Sequence, residues 1–279
     1  MHTVLSSRQG TESTQHLQAN ENVSALFKSV FNVQLATSPK AIDEVFKLRY
    51  QVYCIDRPFE DSTCFADKRE RDAYDPRSAH ALIRHRITED SVAAVRLVMA
   101  DTNLKKADFP MESPCLHLMD KYAREAFKGT CRKQIAEISR MAVSREFRRR
   151  LNENISVTGI SEQAHYSDSE NGRRAMPYIC LGLFSAILRM SIKHGITHWM
   201  AVLEPALLRL LKRFGVEFDH VGPVLEYHGR RQPVFTDAES LIRRAKRLRP
   251  DVWSLVTDDG KYLPVKPNTD VTTSKRKVA

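Results

Sequence analysis

Arg49 and Arg96 stand where a positive charge is costly. The run FKLRYQVY puts Arg49 on the apolar stripe of an amphipathic helix that also carries Ile42, Val45, Phe46, Val52 and Tyr53. Arg96 interrupts SVAAVRLVM, a strand otherwise apolar on both faces. A buried guanidinium is tolerated only when carboxylates or several acceptors meet it. Acids are close at hand: Glu70, Asp72 and Asp75 in ERDAYD, and Glu137 in AEISR. The plainer alternatives are a structural ion pair for Arg49 and a solvated charge run ending in a turn at Asp75-Pro76.

The run Ile135–Val143 reads as a strand that carries Glu137, Ser139 and Arg140. Strict alternation gives Glu137 and Ser139 one face and Arg140 the other, so all three meet one site only if the strand is bulged or splayed. A carboxylate there, with its pKa raised by partial burial, could accept a proton from an attacking amine directly or through water. Backbone N–H groups of a splayed strand could polarise a thioester carbonyl.

Other chemistries find less support. The five cysteines, Cys54, Cys64, Cys115, Cys131 and Cys180, form no C-x-x-C pair, and the ten histidines show no ligand spacing, so free thiols and no metal site are expected. Arg145, Arg148, Arg149 and Arg150 follow the strand in VSREFRRRL, with Arg173 and Arg174 beyond. A solvated basic face is the common meaning of such a run; the sharper one is a dock for phosphate or an acidic carrier protein. The basic helix IRRAKRLR could extend that patch, but aromatic interleaving and a nucleic-acid-binding motif are missing, so nucleic acid is not expected.

The elements that position these residues follow from capping and periodicity. Ser38-Pro39 opens the first helix. Strands are expected near Ala79–Ile87 and Val92–Met99, then Ile135–Val143. The apolar run from Pro177 to His194 is a buried helix stopped by Gly195, followed by a strand at Thr197–Leu203 and a helix from Pro205 to Gly215. Short β pieces are expected around Val216–Phe218, Val224–Tyr227 and Val234–Phe235, and Asp237 caps a helix over Ala238–Arg249 closed by Pro250. The order gives mixed α/β with an open sheet.

The 279 residues, 42% hydrophobic and 28% charged, are enough for a core of ordinary size. We expect disorder over 1–20, a single domain over 21–266 with a polar insertion at 151–174, and a basic flexible tail over 267–279. The beginning of the chain lacks the apolar segment of a secretory signal, and no uninterrupted apolar run is long enough for a transmembrane segment, which implies a cytoplasmic protein. The net charge of +10 favours anionic partners.

The ordered blocks FKLRYQVYCIDRPFE, ERDAYD, VRLV, DFP and AEISRMAVS together resemble the acyltransferases of the exosortase and PEP-CTERM system. These are similar in turn to N-acyl amino acid synthases and to autoinducer (acyl-homoserine lactone) synthases. The resemblance implies a GNAT-type fold with a splayed, mostly antiparallel sheet flanked by helices. It also implies an enzyme that moves a fatty acyl group from acyl carrier protein or coenzyme A to the amine of an amino acid or similar acceptor. Its pattern picks out Arg49, Glu70, Asp72, Asp75, Arg96, Phe109 and Glu137 with Arg140; with the reading of the residues themselves, Glu137, Ser139 and Arg140 are expected to be catalytic and Arg49, Tyr53, Glu70, Asp72, Asp75, Arg96 and Phe109 to bind substrate. Arg145, Arg148, Arg149 and Arg150 face the carrier or its phosphopantetheine; no cofactor is bound permanently, and the acyl thioester is a co-substrate.

Two departures refine the expectation. Autoinducer synthases carry tryptophan near the first helix, whereas this chain has only Trp199 and Trp253, which argues against S-adenosylmethionine as acceptor. The glycine-rich turn of coenzyme A-dependent relatives is missing from VSREFRRRLNENI, which favours acyl carrier protein. The alternatives are an autoinducer synthase and, outside enzymes, a basic regulatory or nucleic-acid-binding protein.

Overall fold

The computed structural model describes residues 23–101, 109–145, 147 and 175–264. The expected disordered N-terminus, the polar insertion, the basic tail and Arg148, Arg149 and Arg150 all lie outside the described residues.

The chain opens with α1 (Val23–Val30) and β1 (Phe31–Leu35), neither of which periodicity had singled out. Helix α2 (Pro39–Tyr50) starts as its sequence dictates: Ser38 accepts from the Ala41 N–H at 3.2 Å, and Pro39 fills the first turn. The hairpin β2 (Ser78–His85) and β3 (Ser91–Met99) follows, then the short α3 (Glu112–Cys115) and α4 (Lys121–Gly129), capped by Asp120. Next come β4 (Ile135–Val143), α5 (Ala175–His194), β5 (His198–Leu203) and α6 (Pro205–Arg213). The remaining elements are β6 (Leu225–Glu226), β7 (Arg230–Asp237), α7 (Ala238–Leu248) and α8 (Pro250–Thr257).

Among the described residues one seven-stranded sheet runs in the order β1-β2-β3-β4-β5-β7-β6, and its pairs are antiparallel except β4 with β5. One face buries Val95, Leu97, Ile138 and Trp199 against α5, whose apolar surface nearly all round is used by the sheet and by α8. Helix α5 is long and apolar enough to cross a membrane by composition alone, yet 78% of that window is buried inside the fold. On the opposite face α2 packs Ala41, Val45 and Leu48 on Leu82, Ala94 and Ala142. Further along, Phe109, Met111 and Phe127 cover Val98, Ile135 and Met200.

Two expectations near the end of the chain need correction. Val216–Phe218 is not a strand; its backbone turns back, Val216 N–H donating to Leu211 O at 3.0 Å, because Gly215 takes a left-handed φ of 73° after α6. Pro250 does not simply end α7: lacking an N–H, it fits the first turn of α8, which packs on α5.

Candidate functional site

The condition set by the strand pattern is met twice. Between Ala94↔Ala142 and Arg96↔Ser139 the register of β3 and β4 shifts, so Arg140 and Met141 together oppose Val95. Arg140 sits at the bulge with φ 49°, and the extra residue puts it on the face of Glu137 and Ser139. The pairing of β4 with β5 covers only Ile135↔His198, Ala136↔Trp199 and Glu137↔Met200. Beyond Glu137 the two strands part and frame a cleft of about 790 Å³, part of it open to solvent.

The buried arginines find the acids expected of them. Arg49, 0% exposed, donates from Nε to Glu70 Oε2 at 2.5 Å and in bidentate fashion to Asp75 at 2.6 and 3.1 Å. Arg96 donates from Nε to Ser139 Oγ at 3.0 Å and from Nη1 to Asp72 at 2.6 Å and Asp75 at 3.0 Å. Arg140 reaches Glu60 at 2.8 Å, Glu70 at 3.0 Å and Asp72 at 3.4 Å, and lies over the Tyr53 ring. The loop holds its own acids in place, since Asp72 N–H donates to Asp75 and Tyr74 N–H to Asp72. Three guanidiniums thus share four carboxylates, leaving one negative charge over.

Burial alone would push Asp75 up, but the bonds from Arg49 and the charges of Arg49 and Arg96 outweigh it and hold the carboxyl at about 2. Asp72 is held low in the same way, burial being outweighed by Arg96. His80, buried beside Asp75 at 3.6 Å, is pushed down to about 4 by burial and stays neutral. Burial raises the Tyr53 phenol to about 12; its hydroxyl donates to Met141 O at 3.0 Å.

Glu137 differs from the other acids. Among the described residues no guanidinium bonds it; it is 2% exposed and accepts a 2.9 Å bond from Met111 N–H at the point where β4 and β5 part. Burial pushes its pKa up to about 8, with the Met111 bond opposing. It can therefore exchange a proton near neutral pH while Asp72 and Asp75 remain ionised.

Glu137, Ser139, Arg140, Arg96 and Tyr53 all line the cleft, whereas Arg49, Glu70 and Asp75 stand behind it. Phe109 lies in the apolar cluster beyond Glu137, its ring covered by Arg132 at 4.8 Å. Arg145 is outside the cleft, 3.6 Å from Asp56. Sequence reasoning missed Glu60, Glu204, Tyr227 and Arg231, which also line the cleft. Glu60 closes the FKLRYQVYCIDRPFE block; the other three sit in short turn-rich segments where no periodicity marks them.

Residues 48–156, from the end of α2 through β4, match the model of the acetyltransferase (GNAT) domain. That match and the open, parted sheet define the class: an acyltransferase built on a GNAT-type fold. No curated protein sequence matches the chain.

Among solved structures, the chain is similar to BjaI, a coenzyme A-dependent acyl-homoserine lactone synthase with S-adenosylmethionine and isopentyl-coenzyme A, at 17% identity and a TM-score of 0.49, covering 81% of this chain and 89% of that one. It is similar to the acyl-homoserine lactone synthase LasI at 19% identity and 0.47, covering 74% and 88%. It is also similar to FeeM, an N-acyl amino acid synthase from uncultured soil microbes, at 12% identity and 0.47, covering 77% and 93%.

Proposed function

We propose that the chain transfers a fatty acyl group from a thioester, on acyl carrier protein or coenzyme A, to the amine of an amino acid or similar small acceptor. The observation that carries this reading is Glu137: a buried carboxyl that takes up and gives up a proton near pH 8, at the apex of a cleft between parted strands. The thioester arm lies between β4 and β5, where the β5-facing backbone groups of β4 beyond Glu137 have no ladder partner in β5. An acceptor that arrives as an ammonium first loses one proton to solvent; the free amine nitrogen attacks the thioester carbonyl, the N–C bond forms and the C–S bond breaks. The nitrogen's proton passes to Glu137, directly or through water, and then to the departing thiolate, so that amide and thiol leave and the enzyme is restored. The surplus negative charge among Glu60, Glu70, Asp72 and Asp75 favours a cationic acceptor. The apolar cluster at Phe109, rich in adaptable methionine, suits a fatty chain. The sequence blocks support a role in exosortase- or exopolysaccharide-linked processes.

The test is thiol release from octanoyl-carrier protein and octanoyl-coenzyme A with a panel of amines, products read by mass spectrometry. Release should rise with pH to about 8 and level off, and Glu137→Gln should abolish it; unchanged turnover in that variant removes Glu137 from the chemistry. Release of methylthioadenosine from S-adenosylmethionine would make the product a homoserine lactone instead.

A further inference from the structure

Resting on this acyl-transfer reading, we propose that Arg231 receives the carboxylate of an α-amino acid acceptor, with Glu204 as the internal counter-ion from which it is withdrawn. The three arginines of the charged cluster are engaged by bonds of 2.5–3.4 Å to Glu60, Glu70, Asp72 and Asp75, and each would have to give up two or three of those carboxylates to turn to a ligand. Arg231 is held differently. It stands on the cleft wall at the start of β7, its side chain 14% exposed, with Nη1 donating to Arg230 O at 3.2 Å and 3.4 Å from Glu204 Oε1. That contact to Glu204 is longer than every bond that holds Arg49 or Arg96.

Glu204 occupies the N-cap position of α6 without a side-chain capping bond. The positive end of a nine-residue helix keeps its charge in favourable company when Arg231 turns away. Arginine's fork suits a carboxylate, which it binds in bidentate fashion. Glu60, 30% exposed and lining the same cleft, offers the ammonium a partner on the side of the charged cluster. A zwitterion therefore finds a negative and a positive side chain lining one cleft, whereas a plain alkylamine leaves Arg231 unused.

The experiment compares kcat/KM for leucine and phenylalanine with that for their primary amides and decarboxylated amines, using octanoyl-coenzyme A and octanoyl-carrier protein as donors. The wild type should prefer the free carboxylate, and Arg231→Gln should reduce that preference by about tenfold to a hundredfold, mostly through KM. Arg231→Lys should restore part of it, and Glu204→Gln, which removes the counter-ion, should lower the KM for the amino acids. A purely structural Arg231 would depress all substrates together and leave the preference intact, which overturns the assignment. A wild type that acylates amides as well as amino acids overturns it too while leaving acyl transfer standing; failure to acylate any amine sinks both.

Discussion

Replacing Glu137 by glutamine keeps the side chain's shape and an acceptor for the Met111 N–H, and removes one titration. In the folded chain burial holds this carboxyl protonated up to about pH 8, against an ordinary glutamate value of 4.5. From about pH 4.5 to 8 the folded state therefore binds a proton that the unfolded chain has released, so the group's contribution to stability declines as pH rises through that window. At about 1.36 kcal/mol per pH unit the gap amounts to on the order of 4–5 kcal/mol, a large share of the roughly 5–15 kcal/mol that holds a domain folded. Guanidinium unfolding followed by fluorescence, with Trp199 buried in the core, gives the stability of both proteins at pH 5, 6, 7, 8 and 9. All other titrating groups are shared, so the difference curve isolates Glu137. The variant should gain on the wild type steadily above pH 5 and the gain should level off above pH 8. Parallel stability curves would refute the argument, because they would mean that Glu137 is already ionised in the folded protein at pH 5.

Arg49→Ala takes one guanidinium from each of two buried acids, leaving Glu70 to Arg140 and Asp75 to Arg96, and should cost about 3–5 kcal/mol, read as a lower denaturation midpoint; a soluble variant with normal melting contradicts the tight pairing. Asp75 is held at about 2 against an ordinary aspartate value of 3.8, so its stabilising effect is complete above about pH 4 and lost as pH falls toward 2. Acid unfolding of the wild type should show that loss, about 2 kcal/mol, and Asp75→Asn should lack it. A Cβ at Gly222 would stand 2.7 Å from Leu118 O, a backbone atom, so Gly222→Ala should destabilise by about 1–3 kcal/mol in thermal melts; an unchanged melt would show that the two loops are not in contact.

Much of the charged site was legible because burial and charge conflict visibly at Arg49 and Arg96. A guanidinium in an apolar setting requires acids, and those of ERDAYD, Glu70, Asp72 and Asp75, are the ones that meet Arg49 and Arg96, although Glu44 and Asp56 stand nearer to Arg49 in sequence. Helix α2, β4 and α5 were legible from a cap, a strand-length run and a glycine stop. Helix α4 was not, because its burial rests on Ala123 and Phe127 alone. Arg231 and Glu204 were invisible for a different reason: Arg231 lies in a polar run and Glu204 at a strand–helix junction, places where charge is ordinary, and only the folding of β7 beside β5 brings them to one wall. The match of residues 48–156 stops short of both.

The left-handed residue in β4 also bears on how such a site is spelled. Side chains on one side of a regular strand are separated by even steps, so an acid and an arginine three apart belong to opposite sides. Here Glu137 and Arg140 serve one cleft because a single inserted residue changes the parity. The odd interval E-x-x-R is thus a written trace of the backbone's irregularity. Removing one residue between them would absorb the bulge, straighten the strand and restore even spacing, while Met141, Ala142 and Val143 keep the faces they now hold.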